Sequence, residues 1–363
     1  MIGLVIIAVQ MLFFTIVIIN YFFAPVLSLP KKTSKATDKR VSVLIPVRNE
    51  EAHIGALLDD LFAQSRLPEE IIIYNDGSVD NTKLIIESYI ENYPQILRMI
   101  EGGELPKGWL GKAHACYHLG NAANADYLLF LDADVRLHAC AVATILDQMV
   151  QYNWKLLSAF PKQIMKTWGE KVVVPIMNVV LLSLLPLPLI RVKRFSSLSA
   201  ANGQMMCFER SVYIANQFHA LVRQEKAEDI AIARTMKRLK LRVMCYLGGE
   251  VISCRMYQDL KSSIDGFSKN LVLFFGGSVF AALLYWSLFL MAPLYFLYDL
   301  FLFISLVLIQ SMLLFFIAVK SRGNVEDYLL YSIPRMFLFI YILGKGLFCR
   351  YSKRLLWKDR NIM

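Results

Sequence analysis

The sequence predicts an α/β fold, a mostly parallel sheet covered by helices and held between membrane-seeking segments. Three observations predict it. Between about residues 31 and 270 short apolar runs alternate with segments of helical period, the pattern of strands joined by helical crossovers. Residues 1 to 29 contain no Lys, Arg, Asp or Glu, and from Leu271 to Val319 the only charged residue is Asp299. The run YLLFLDADV, Tyr127 to Val135, then sets two carboxylates, Asp132 and Asp134, directly behind a buried strand. Alternate residues of an extended chain point the same way, so the two can meet on one hard cation. A lone DxD is as readily a strand ending in solvated acids, so the rest of the chain has to decide.

The apolar ends come first. Residues 1–29 are long enough for one span of roughly 20 residues and lack a basic start and a small-residue cleavage site, so they predict an uncleaved anchor. Lys31, Lys32, Lys35, Lys39 and Arg40 follow, which places the next segment, 30–270, in the cytoplasm by the positive-inside tendency. Residues 271–349 predict a hairpin of about 271–296 and 300–319, followed by an apolar stretch from Tyr328 to Phe348 that Pro334 and Arg335 interrupt. A central Arg in a bilayer costs at least ~2.5 kcal/mol, so this last stretch is expected in the interface. That choice keeps the basic tail, residues 350–363 with Arg350, Lys353, Arg354, Lys358 and Arg360, on the cytoplasmic side.

The stretch Val172 to Ile190 is apolar but broken by Pro175, Pro186 and Pro188 and flanked by Lys171, Arg191, Lys193 and Arg194. Residues 172–194 are therefore expected to lie in the membrane surface rather than to cross it. The net charge of +10 is concentrated beside apolar segments, which points to the anionic headgroups of a lipid bilayer as partner. Nucleic acid is not expected, because no nucleic-acid reader motif occurs. Six cysteines show neither CxxC nor paired metal-ligand spacing and read as reduced packing residues. His114 and His118 stand four apart but lack the Glu of an HExxH pattern.

Within 30–270, Val41 to Val47 predicts a buried strand. Asn49 is expected to cap the next helix, opened by Glu50 and Glu51 and faced by Ile54, Leu57, Leu58 and Leu61. Ile71 to Tyr74 predicts a second strand, the turn Asn75, Asp76, Gly77, Ser78 follows, and Asp80 caps a helix carrying Leu84, Ile85 and Tyr89. Ligands of such sheets bind beyond the carboxyl ends of the strands, where Asp76 and the DAD triplet stand. Gly111 and Lys112 open a helix after the turn Pro106, Lys107, Gly108, Trp109, and helix N-termini attract phosphate. Trp109 fits equally a sugar-stacking ring and a membrane anchor. Asn202, Gly203 and Gln204 precede a strand from Met205 to Phe208, with Gly203 allowing close approach of backbone to ligand. Glu228 and Asp229 begin a helix faced by Ile230, Ile232, Ala233 and Met236. A desolvated carboxylate there gains basicity, although first-turn acids also serve the helix dipole alone.

Taken in order, VSVLIPVRNEEAHIGALLDDL, YNDGSVDNT, DAD and AEDIAIA resemble the membrane-bound family 2 glycosyltransferases with a GT-A nucleotide-diphospho-sugar domain, over about residues 40–270. LPKGWLGKAHAC, AANGQMMCF and RMYQDLKSSIDGFSKN are similar to the subgroup acting on carotenoid acids such as 4,4'-diaponeurosporenoate, and hopanoid-associated transferases share much of that pattern. The resemblance implies a UDP-sugar donor, bound through Pro46, Asn49, Glu50, Asp76, Gly111, Lys112, Asp132, Ala133, Asn202, Gly203, Gln204 and Arg255. It implies Mg2+ or Mn2+ at Asp132 and Asp134, Asp229 as base and Glu228 as its neighbour. The expected reaction moves a hexose, by family weight glucose, with inversion onto a membrane-embedded lipid acceptor at the cell membrane. Polyprenyl phosphate, a hopanoid or a glycerolipid is the alternative acceptor, and a silent scaffold the alternative class. SCRMYQD departs from the QxxRW signature of processive members, which argues against a long polysaccharide product.

Overall fold

The computed structural model describes residues 2–29, 38–193, 195–351, 356–357 and 360–361. The basic residues Lys31, Lys32, Lys35, Arg194, Lys353, Arg354 and Lys358 therefore lie outside the described residues. The chain forms two compact units. The first comprises Pro25–Lys162 and Leu189–Cys254, and the second Met1–Ala24, Gln163–Pro188 and Arg255–Met363. This division differs from the expected break at 270, because residues 163–188 and 255–270 join the apolar helices.

Elements are numbered along the whole chain. The Pro25–Cys254 unit holds strands β1 (Val41–Val47), β2 (Glu70–Asn75), β3 (Leu97–Glu101), β4 (Tyr127–Leu131), β5 (Val135–Leu137), β6 (Leu156–Phe160), β8 (Met205–Glu209), β9 (Val243–Leu247) and β10 (Ile252–Cys254), with the two-residue β7 (Lys162–Gln163) at its boundary. Its helices are α2 (Ile54–Phe62), α3 (Thr82–Asn92), α4 (Gly111–Ala122), α5 (Ala141–Tyr152), α8 (Arg210–Asn216), α9 (Phe218–Leu221) and α10 (Glu228–Arg238). The main sheet runs β3-β2-β1-β4-β8-β6-β9. β8 alone is antiparallel to its neighbours β4 and β6, and the remaining pairs are parallel. Central strands covered on both faces need unbroken apolar runs, and Val43, Leu44, Ile45, Leu128, Leu129 and Leu131 are all buried. Ile54, Leu57, Leu58 and Leu61 of α2 are buried as their spacing predicts.

One local expectation fails in this unit. Asn49 does not cap α2: it sits at φ 51° and its Oδ1 accepts from the amide of Val79 at 2.9 Å, tying the turn after β1 to the turn after β2. Asn tolerates this left-handed conformation, which serves a turn rather than a helix start. The helix expected to carry Leu84, Ile85 and Tyr89 is α3, whose buried residues are Thr82 and Ile86, with Leu84 exposed. Asp80 does fasten the start of α3, accepting from Thr82 N at 3.0 Å.

The second unit is built of α1 (Ile2–Phe23), α6 (Trp168–Val173), α7 (Pro175–Leu184), α11 (Leu260–Asn270), α12 (Val279–Tyr285), α13 (Leu300–Lys320), α14 (Val325–Leu330) and α15 (Ser332–Tyr351). Among the described residues three helices, Gly3–Phe23, Leu300–Lys320 and Ser332–Tyr351, are long and apolar enough to cross a membrane. Leu4, Leu12, Phe22, Leu300, Phe301 and Leu308 are exposed on α1 and α13, as lipid-facing side chains would be. The expected arm 271–296 is not one helix. Leu271–Phe275 continues α11, Gly276 and Gly277 adopt φ of +66° and +85°, and the chain turns by 94° into Val279–Leu290. From Val279 to Phe296 it then runs antiparallel to α1: Tyr285 packs on Phe13, Gln10 Nε2 donates to Leu288 O, and Phe296 lies against Gly3.

The stretch 172–190 also departs from expectation. It forms α6, α7 and a short 3-10 turn whose side chains, Val172, Val173, Ile176, Met177, Val179, Val180 and Leu182 among them, are buried inside the unit rather than spread on a surface. Asn20 of α1 secures its end, donating to Leu182 O and Leu185 O and accepting from Leu187 N, each at 2.8 Å. The prolines limit α7 to ten residues, too few to span. Arg335 is not central in its helix but in the first turn of α15, buried, with its guanidinium donating to the carbonyls of Val172, Lys171, Asp327 and Tyr328. Farther along α15, Lys345 pairs with Asp265 at 2.5 Å and Gly346 touches Ser268 O, so α15 lies along the polar helix α11.

Candidate active site

The ends of β1, β2 and β4, the start of α4, the turn before β8 and the start of α10 bring the expected residues together within the Pro25–Cys254 unit. Lys112 is the hub. Its Nζ lies 2.7 Å from Asp132 Oδ1, 2.8 Å from Asp132 Oδ2, 3.3 Å from Gly203 O and 3.7 Å from Glu228 Oε1. Burial opposes the ammonium charge, but Asp132 and then Glu228 outweigh it and hold the amine protonated well above the usual lysine range.

Gly203 earns its place by proximity. A Cβ there would stand 3.1 Å from Lys112 Nζ and 3.4 Å from Glu228 Oε1. Its amide donates to Asp229 Oδ2 at 2.9 Å, while Asp229 Oδ1 accepts from Ile230 N at 2.8 Å. Asn202 is fixed by Ser158, whose Oγ accepts from Asn202 N at 2.8 Å and donates to Asn202 O at 3.1 Å. Burial first, and then neighbouring Asp229 against the relief of Lys112, pushes the Glu228 carboxyl up to about 7. Burial raises Asp229 as well. Two desolvated carboxyls beside one ammonium are chemically suited to holding and passing a proton.

Asp132, Ala133 and Asp134 form a turn between β4 and β5, with Val135 N donating to Asp132 O, rather than an extended strand end. The two carboxylates nonetheless interact: burial and then Asp132 push Asp134 up to about 6, and Glu50 adds to the effect. Acids that resist ionising together are what a divalent cation relieves. Among the described residues no group of three or more His, Cys, Asp or Glu closes a full cage. Two carboxylates alone fit a cation that keeps water and takes its other oxygens from a substrate diphosphate.

Gln204 is buried and its Nε2 donates to Asp134 at 3.2 and 3.3 Å and to Cys254 Sγ at 2.8 Å. The carboxylate dictates that amide orientation, and among the described residues Gln204 Oε1 has no hydrogen-bond partner. A buried acceptor left so is costly unless a ligand or water meets it.

At the neighbouring edge, Asp76 is buried at the end of β2, its amide donating to Val47 O and its carbonyl accepting from Arg48 Nη1 at 2.6 Å. Pro46 pairs in register with Tyr74, and Glu50 contacts His53 at 3.2 Å. Trp109 packs edge-on to His114 and against Tyr117, with Arg223 over its ring, so its indole is occupied within the unit. Arg255 belongs to the other unit, where it pairs at 2.8 Å with the fully buried Glu170. Burial works against the Glu170 charge, but Arg255 and the amides of Thr167 and Lys166 hold it down to about 2. Sequence reasoning missed Ser158, Cys254, Arg48 and Glu170, since each acts through a partner distant in the chain.

The family model for glycosyl transferase family 2 matches residues 42–228. The chain belongs to glycosyltransferase family 2. This family 2 transferase is 30% identical over 272 residues to the 4,4'-diaponeurosporenoate glycosyltransferase of Staphylococcus aureus, covering 71% of this chain and 68% of that one. Among solved structures it is similar to a mannosyltransferase from Pyrobaculum calidifontis in complex with GDP-mannose and Mn2+. There the TM-score is 0.56 at 16% identity, over 97% of this chain and 100% of that one. The fold is GT-A. A glucosyl-3-phosphoglycerate synthase from Mycobacterium tuberculosis, in complex with Mn2+, UDP and its product, matches at a TM-score of 0.45 and 19% identity, over 70% and 88% of the two chains.

Proposed function

We propose that this family 2 glycosyltransferase moves glucose from UDP-glucose, with inversion, onto a membrane-embedded carotenoid acid of the 4,4'-diaponeurosporenoate type. The observation that carries the donor side is the cluster of Lys112, Asp132, Gly203, Glu228 and Asp229 around one strand edge. The acceptor side rests on the relative's named substrate and on the exposed apolar faces of α1 and α13. Asp76 is the proposed acceptor for the N3 hydrogen of uracil. Asn49, Glu50, Gly111 and Pro46 line the nucleotide end, and Asn202 and Gln204 the sugar.

The acceptor oxygen attacks the anomeric carbon from the face opposite UDP. As that bond forms, the bond from the anomeric carbon to the diphosphate oxygen breaks and its electron pair leaves on UDP. Lys112, held charged, faces this growing negative charge. Asp132 and Asp134 would hold Mg2+ or Mn2+, which supplies further positive charge to the departing diphosphate. A carboxylic acid acceptor is already ionised at neutral pH, so Asp229 then orients it; a hydroxyl acceptor would give its proton to Asp229. Arg255 is the proposed contact of the departing diphosphate.

The catalytic unit is assigned to the cytoplasmic side of a cell membrane crossed by several segments. The test is mass spectrometry of lipids from membranes supplied with labelled UDP-glucose. A labelled carotenoid acid ester is expected. Label in a polyprenyl phosphate, hopanoid or glycerolipid instead replaces the acceptor, and sugar transfer at the parental rate by protein with Ala at both Asp132 and Asp134 ends the proposal.

A further inference from the structure

We propose that Cys254 is a positioning residue for the cation-binding carboxylate: its thiol, braced by Gln204, fixes the rotamer of Asp134 and so sets the affinity of the divalent cation site. This rests on the assignment of Asp134 to that cation. Cys254 is fully buried at the end of β10, which pairs antiparallel with β5 so that Cys254 stands opposite Val135, the residue after Asp134. Its Sγ donates to Asp134 Oδ2 at 3.3 Å and accepts from Gln204 Nε2 at 2.8 Å. Gln204 Nε2 also reaches both oxygens of Asp134. The three side chains close a ring of hydrogen bonds about one carboxylate.

A thiol suits this position because it is a small apolar body with one weak donor. It fills a dry site without competing with the cation for the carboxylate charge as an ammonium would. Groups of this kind behind a metal ligand commonly govern affinity by about 10- to 100-fold through orientation alone.

The experiment measures Mn2+ affinity of the full-length protein with UDP present, by the loss of free Mn2+ signal in electron paramagnetic resonance. It compares wild type, Asp134→Asn, Cys254→Ala, Cys254→Val and Cys254→Ser, with thermal unfolding as a check on folding. Valine keeps the buried volume and serine keeps a donor. The expected result is a Kd raised about 10-fold or more in Cys254→Ala and Cys254→Val and largely recovered in Cys254→Ser. Wild-type affinity in the Ala and Val variants, while Asp134→Asn is weakened, overturns the role of Cys254. So does a Ser variant as weak as Ala. Wild-type affinity in Asp134→Asn overturns the cation assignment itself.

Discussion

Lys112 Nζ and Asp132 Oδ1 are 2.7 Å apart, and the same ammonium lies 3.7 Å from Glu228 Oε1. One cation thus balances acids from two separate elements, the turn after β4 and the start of α10. Replacing it with Met is expected to lower kcat by about 10²- to 10³-fold, the cost of one charge-stabilising donor. UDP release from saturating donor checks this, and a change confined to KM would contradict it.

Titration of Glu228 supplies a second prediction. Its carboxyl titrates near 7 in the folded protein against an ordinary value of 4.5. The folded state therefore holds this proton more tightly than the unfolded chain. The stability it contributes is fully present below about 4.5 and is lost as pH rises through about 7. Thermal midpoints of wild type should fall relative to Glu228→Gln between pH 5 and pH 8, and parallel curves would refute the assignment.

Gly203 separates activity from stability. The atoms a Cβ would meet are the ends of two side chains, Lys112 Nζ at 3.1 Å and Glu228 Oε1 at 3.4 Å, rather than backbone, so Gly203→Ala should still fold, with a stability loss of about 1 kcal/mol. Displacing those ends should nevertheless lower kcat/KM by about 10-fold or more. Paired thermal melts and initial rates decide it, and a variant with unchanged rates would show that the close approach is incidental.

Gly120 predicts the reverse. A Cβ there would lie 2.3 Å from the ring of the fully buried Tyr213, whose hydroxyl donates to Cys116 O and meets His219 Nδ1 at 2.8 Å. Overpacking of this kind costs about 1–3 kcal/mol. Gly120→Ala should unfold at lower denaturant, and an unchanged midpoint would be the failing result.

Much of this was legible in residue order. The strands around Leu44 and Leu129 declare themselves by unbroken apolar runs, and Lys112 by its place at a helix start behind a glycine. The meeting of Asp132, Lys112, Gly203 and Asp229 follows from strand ends sharing one sheet edge. What the order of residues hid are contacts made across the chain. The apolar content of 172–190 reads the same whether its neighbour is lipid or protein, and only the bonds from Asn20 and Arg335 identify the neighbour as protein. Asn49 fits a cap and a left-handed turn equally by type, and Val79 decides between them. Cys254 carries no local sign at all, because its partners Asp134 and Gln204 are 120 and 50 residues away.

The pairing of α1 with both arms that flank Asp299 works as a depth gauge. Gly3 and Phe296 mark one end, and Tyr21, its ring tilted against that of Phe316, marks the other. Read along that gauge, Asp299 falls at the first end, whereas Lys320 and Arg322 fall at the second, the end at which α1 closes with Phe23. In the proposed orientation a cell's inside-negative potential would pull each of these charges toward the side it already occupies, and the electrical field of the membrane would itself favour that orientation.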